Sequence, residues 1–259
     1  MIQEIRLPVS AADATPSHLL LRLAEPATRR APDLCLVFLH GFASVQEGTK
    51  ARTFRENALS DGLSLCTFDF QGHGESGGTM RDLTITRNLA DIDAVLDFLR
   101  GRGYRRFVLI GSSMGGYTGL WYAARHPDAI AAGCHIAPGF DMAKGFLLWL
   151  GAEEAARWER EGVHCFTSEE FSVELGWQWI EDLRTYDDEW LLENYATPTL
   201  LFHGRRDDTI PWRATAKFAM HCRSGCVDAH LFGDGDHRLT DQCDEIWRLI
   251  LEFLKAKGI

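Results

Sequence analysis

Residues 111–115, Gly-Ser-Ser-Met-Gly, fit the pattern G-x-S-x-G in one register only, with Ser113 at its centre. A serine hydroxyl is a weak nucleophile at neutral pH, so it needs a base to take its proton, a group to orient that base, and donors for the oxyanion that develops. The pattern sits between an apolar run, Phe107 to Ile110, and a helix-like run, Gly116 to Arg125. That setting predicts a sharp strand-to-helix turn with the hydroxyl at its tip, where Gly111 and Gly115 remove β-carbons that would collide. Five residues also match by chance, so the flanking strand and helix carry much of the weight.

Two later loops supply partners. After an apolar run from Thr199 comes His203-Gly204-Arg205-Arg206-Asp207-Asp208-Thr209-Ile210-Pro211, and after a run from Val227 comes Gly233-Asp234-Gly235-Asp236-His237. Both loops leave the carboxyl end of a strand, the edge where open α/β sheets bind ligands. Ser113, Asp207 and His237 therefore form a candidate nucleophile, orienting acid and base, in one of the chain orders known for this chemistry. Each has a plainer reading. The chain has ten histidines, and a lone loop histidine is usually a bystander. Asp208 is better placed to cap the helix that Pro211 opens and Asp207 to face the base, although neighbours in sequence stay interchangeable at this level.

The oxyanion requires two backbone donors. The amide of Met114 follows the nucleophile at a helix N-terminus, with its partial positive charge, and the amide of Phe42 lies in the loop His40-Gly41-Phe42-Ala43-Ser44 after another strand. A third loop at this edge, Asp69 to Gly77, contains His73, which precedes the serine among turn glycines and reads as structural.

Elements that alternate must position these loops. Ile5 to Val9 and His18 to Ala24 suggest an antiparallel hairpin joined by a polar turn containing Pro16. Strands are then expected at Leu34 to Leu39, Leu63 to Phe70, Phe107 to Ile110, Ile130 to Ile136, Thr199 to His203 and Val227 to Phe232. Helices are expected at Thr49 to Ser60, Thr86 to Arg100, Gly116 to Arg125, Pro211 to His221 and Asp241 to Lys257. Apolar strands alternating with helices imply an α/β protein with a mostly parallel eight-stranded sheet covered on both faces.

Residues 140–197 break the alternation. They contain helix-like stretches, Ala152 to Glu161 and Trp177 to Leu192, no convincing strand, and five of the eight tryptophans. So long an insertion reads as a helical cap, dividing the chain into a core of 1–139 and 198–259 and a cap of 140–197. Its aromatics serve both to anchor it and to line an apolar pocket; Trp149, Trp177 and Trp179, with Ile210 from the core, are the candidate substrate contacts.

Composition narrows the function classes. With 259 residues and 46% hydrophobic content a large core is available, while 27 basic against 37 acidic side chains give a charge of −10. That sign disfavours nucleic acid and anionic membranes as partners. The N-terminus, MIQEIRLPVS, lacks the features of a signal or transit peptide, and no apolar run is long enough to span a membrane, which predicts a cytoplasmic protein. Seven cysteines without framework spacing agree with a reducing compartment. Cys35, Cys66 and Cys134 lie in strand-like runs, and Cys222 with Cys226 reads as incidental thiols rather than half a metal site. No metal or organic cofactor is expected.

With these motifs in hand, the chain resembles the α/β-hydrolase superfamily along nearly its whole length: the His40-Gly41-Phe42 loop, D-x-x-G-H-G-x-S from Asp69, the turn at Ser113, H-G-x-x-D-x-x-I-P from His203, and Asp236-His237. Within it, the chain is most similar to the mitochondrial palmitoyl-protein thioesterase and acyl-glucuronide esterase branch, through Ser44 and Gly48 to Ala51, Gly111 to Gly116, Asp207 to Trp212 and Asp236 to Arg238. The resemblance implies the same catalytic residues and the same oxyanion donors, Phe42 and Met114. The expected function is hydrolysis of carboxylic esters or thioesters with an apolar acyl group, carried by a small molecule or an acylated protein. A carbon-carbon bond hydrolase or an aminopeptidase would use the same residues with another cap pocket. A ligand-binding protein that has kept the fold without catalysis is the alternative from a different class.

Overall fold

Uninterrupted apolar runs dictate the middle of the sheet, because a strand covered by helices on both faces has no solvent side. In the computed structural model, which describes residues 1–10, 15–168 and 171–259, β3 (Leu34–Leu39), β4 (Ser64–Phe68) and β6 (Ala132–Ile136) are buried at every position. So is β9 (Thr199–Gly204), and β5 (Arg106–Ser112) is buried beyond its first residue. At the edge, β1 (Ile2–Ser10) alternates exposed and half-buried positions and pairs antiparallel with β2 (Pro16–Ala24). Pro16 thus opens the second strand and faces Ser10; residues 11–14 of the expected turn lie outside the described residues.

The eight strands run in the order β1-β2-β4-β3-β5-β6-β9-β10, with β10 at Val227–Phe232. β2 meets β4 antiparallel, and every pairing from β4 to β10 is parallel. Helices α1 (Thr49–Ser60) and α9 (Cys243–Ala256) cover one face, tied by a 2.7 Å hydrogen bond from Trp247 Nε1 to Asp61. α2 (Ile85–Gly101) and α3 (Met114–Arg125) cover the other. No helix among the described residues is long and apolar enough to cross a membrane.

Between β6 and β9 the chain forms α4 (Met142–Leu150), α5 (Ala152–Glu161), α6 (Gln178–Leu183) and α7 (Asp188–Asn194). Two differences from expectation stand out. A hairpin of β7 (Val163–Thr167) and β8 (Ser172–Gly176) lies where no strand was expected, fixed to α5 by the Trp158 indole, which donates to the Leu175 carbonyl at 3.0 Å. The single helix expected over Trp177 to Leu192 is two, because the Asp187 side chain accepts from Glu189 N and caps a new start. The insertion is also fastened to the body: Asp182 accepts from the amides of Ile85 (2.7 Å) and Thr86 (3.2 Å) at the N-terminus of α2. That placement satisfies orphan donors and complements the helix dipole.

Candidate active site

Ser113 joins β5 to α3 with φ 52° and ψ −117°, a conformation that costs a non-glycine residue about 1–3 kcal/mol. Backbone bonds hold it there. Its amide donates to Ile136 O at 2.9 Å, and its carbonyl accepts from the amides of Tyr117 and Gly139, each at 3.0 Å. The flanking glycines are required by space: a β-carbon on Gly111 would stand 2.5 Å from Gly115 O, and one on Gly115 would stand 2.3 Å from Leu39 O.

The loop after β10 brings His237 across, although it lies 124 residues later in the chain. His237 Nε2 is 3.1 Å from Ser113 Oγ, and Nδ1 is 2.7 Å from Asp207 Oδ2. With a carboxylate on one side and a hydroxyl on the other, the neutral ring carries its hydrogen on Nδ1 and offers Nε2 to the serine. The loop is stiffened locally: Asp236 Oδ1 accepts from the amides of Arg238 (2.9 Å) and Leu239 (2.8 Å), and Lys50 Nζ donates to Arg238 O at 2.6 Å.

Asp207 has a fully buried side chain. Burial alone would push its carboxyl up, but hydrogen bonds from His203 and His237 outweigh that and hold it well below the usual carboxylate range. Its Oδ1 also accepts from Thr209 N and Ile210 N, both at 2.8 Å. Asp208 has no such role. Its carboxylate meets the Thr209 hydroxyl at 3.3 Å, and the helix α8 (Trp212–His221) starts at Pro211 with no side-chain cap, so the capping role expected for Asp208 is corrected.

The loop after β3 passes against the serine. A β-carbon on Gly41 would lie 3.4 Å from both Ser112 O and Ser113 Cβ. Phe42, the next residue, makes no backbone hydrogen bond through its amide among the described residues. Met114 is the first residue of α3, where a backbone N–H has no intrahelical acceptor. Two N–H groups are thereby left free in segments that adjoin Ser113. His40 steadies this loop: its Nδ1–H donates to Gly41 O at 2.8 Å and its Nε2 accepts from Phe70 N at 3.0 Å. Its ring meets that of His73 at 4.8 Å, and burial lowers the pKa of His40 to about 4 and of His73 to about 3, so both rings are neutral.

Above the loop, the Phe42 ring meets Phe146 (5.2 Å), Phe171 (5.7 Å) and Trp179 (6.4 Å) from the insertion. Trp149 joins this group through Phe146 and Phe171 and is 54% exposed. Trp177 packs instead against Trp158 and Arg184. The side chain of Ile210 is buried, and its backbone serves the Asp207 loop. A cavity of about 600 Å³ opens between α3 and the insertion, lined by Tyr117, Met142, Leu183, Tyr186 and Asp188; Ser113 is not part of its wall.

Histidines 40 and 203 and Lys50 were not singled out by sequence as parts of the site. The signal for the two histidines was their place at the carboxyl ends of β3 and β9; nothing in the sequence pairs Lys50 with residue 238.

A family model of the alpha/beta hydrolase fold matches residues 35–157. The chain is 28% identical over 215 residues to the human mitochondrial palmitoyl-protein thioesterase ABHD10, covering 81% of this chain and 68% of that protein. It superposes on a putative hydrolase from Agrobacterium vitis S4 with a TM-score of 0.83 at 26% identity, covering 98% and 99% of the two chains. Mouse alpha/beta hydrolase domain-containing protein 10 gives 0.79 at 23% identity, covering 97% and 99%. These likenesses overturn the expected cytoplasmic location, since the thioesterase relatives are named mitochondrial. The first residues answer to the sheet they join as β1, so their composition is no guide to compartment.

Proposed function

This chain has the α/β-hydrolase fold, and on that premise we propose that it is a serine hydrolase cleaving carboxylic esters or thioesters that carry an apolar acyl group. Ser113 is the nucleophile, His237 the base, Asp207 the group that orients the base, and the amides of Phe42 and Met114 the oxyanion donors. The observation that carries the reading is the 3.1 Å separation of His237 Nε2 from Ser113 Oγ, with Asp207 behind the ring at 2.7 Å.

Ser113 Oγ adds to the substrate carbonyl as its proton passes to His237 Nε2. The imidazolium formed is opposed by a buried carboxylate, and the new oxyanion points between two backbone N–H groups, each worth about 100- to 1000-fold in rate. His237 then returns the proton to the leaving alcohol or thiol, and water repeats the cycle on the acyl-enzyme. The insertion, taken as a cap over residues 140–197, sets the acyl preference. Its aromatic side chains stand on the ring of Phe42, whose amide is one of the oxyanion donors, so an acyl chain leaving Ser113 on that side enters apolar surroundings. The thioesterase named among the relatives supports thioesters, including those on acylated protein, as substrates.

The test has two arms. A fluorophosphonate probe should label the native protein and leave Ser113→Ala unlabelled; labelling that survives the substitution would remove Ser113 as nucleophile. A panel of p-nitrophenyl esters, acyl-CoAs and amides should show turnover of the first two, and a protein that hydrolysed amides alone would be an aminopeptidase-like enzyme instead.

A further inference from the structure

Asp207 Oδ2 accepts from a second imidazole. His203 Nε2 lies 2.8 Å from it, while His237 Nδ1 reaches the same oxygen at 2.7 Å. His203 is the fifth residue of β9, has no solvent exposure, and lies four positions before Asp207. Its tautomer follows from its neighbours. Nε2 faces two acceptors, Asp207 Oδ2 and the Ile210 carbonyl at 3.0 Å, so it carries the hydrogen. Nδ1 must then accept, and the buried Thr215 hydroxyl on α8 donates to it at 2.7 Å.

Every lone-pair direction of the Asp207 carboxylate is therefore occupied, two donors to each oxygen. Three of those donors, the His203 ring and the two backbone amides, come from β9 and the loop that follows it, and one is the proposed base. Where Oδ2 stands relative to the His237 ring is thus decided in part by a side chain that touches neither serine nor substrate. We propose that His203, held in one tautomer by Thr215, is a positioning residue that fixes the Asp207 carboxylate for His237. This rests on the proposed roles of Ser113, Asp207 and His237. A core histidine kept only for packing would make the same contacts, so the test must read catalysis apart from folding.

Steady-state hydrolysis of p-nitrophenyl hexanoate and the rate of Ser113 labelling by a fluorophosphonate are compared in His203→Leu, His203→Gln and Thr215→Val, with thermal melting as the measure of folding. Leucine removes the donor; glutamine places an amide N–H near the position of Nε2. The expected result is a kcat and a labelling rate about 10- to 100-fold lower in His203→Leu, the range for loss of a group that orients a ligating or catalytic side chain. KM should stay within about twofold, and His203→Gln should recover most of the loss. Thr215→Val should lose about threefold or more in kcat, since the ring keeps its donor and loses only its restraint. If His203→Leu does not fold, the other two variants decide: native kcat in Thr215→Val together with a His203→Gln about tenfold or more slower than the native protein would overturn the proposal. So would a folded His203→Leu with native kcat, or one in which KM and not kcat changes. Turnover by Ser113→Ala would instead sink the serine-hydrolase reading itself, leaving these comparisons without a base to position.

Discussion

Asp207 shows how a single carboxylate can be committed to one charge state. Burial opposes ionisation, yet donors from His203 and His237 and two backbone amides outweigh it, and the carboxyl is held well below its ordinary range. A depressed folded-state pKa gives stability that is present above the unfolded value, near 3.8, and is lost only as acid protonates the folded carboxylate. The carboxylate is therefore charged throughout the range in which a histidine base works. Asp207→Asn tests this: the amide puts hydrogens where a donor already points, so His237 loses either its acceptor or its correct tautomer. We expect kcat about 10³- to 10⁴-fold lower with the fold intact, by analogy with the serine-protease acid. A loss under tenfold, measured with a p-nitrophenyl ester, would mean that His237 is oriented by something else.

At the scale of elements, the turn from β5 into α3 and the insertion above it set the geometry. Gly115→Ala would push a β-carbon to 2.3 Å from Leu39 O and 2.4 Å from His40 O, both backbone atoms of the β3 strand and its loop. Neither can retreat without moving Phe42. We expect about 3 kcal/mol or more of destabilisation in urea titration, and a variant as stable as the native chain would contradict the close packing of α3 on β3. The insertion makes a different prediction. Phe146 contacts Phe42, Trp149, Phe166 and Trp179, so Phe146→Ala should lower kcat/KM for p-nitrophenyl octanoate about tenfold more than for the acetate. An equal loss on both esters would place the acyl chain elsewhere. Sequence made the sheet legible because β3, β6 and β9 are rich in apolar residues and buried on both faces, and the helix expected at Thr49 to Ser60 is found with those bounds as α1. It hid the β7–β8 hairpin, whose five-residue strands expose Cys165, Thr167 and Glu174 and depend on the distant Trp158. The close approach of Ser113, Asp207 and His237 followed from motif order. The role of His203 could not, because its partners are defined only once α8 folds back and brings Thr215 to the ring.

Across the whole molecule, buried histidines couple stability to pH. His40, His73 and His135 are lowered from 6.5 to about 4, 3 and 3, in each case chiefly by burial. The sign follows from linkage: the unfolded chain takes up these protons near pH 6.5 while the folded one does not, so the stability is complete above 6.5 and drains away as pH falls toward 3–4. A competing effect runs the other way. The chain carries −10 at neutral pH, and acid relieves that self-repulsion, but exposed charges are screened beyond about 8–10 Å, whereas each pH unit costs about 1.4 kcal/mol per buried imidazole. The buried rings should win. His135 isolates the effect, since neither ring nitrogen has a hydrogen-bond partner among the described residues and its ring is so close that a β-carbon on Gly119 would lie 2.5 Å from Cε1. His135→Leu removes a titrating group without breaking a hydrogen bond. Between pH 7.5 and 5.0 the variant should lose about 2 kcal/mol less stability than the native chain, read from urea midpoints at the two pH values. Equal losses in the two proteins would show that the acid sensitivity of the fold arises from groups other than this ring.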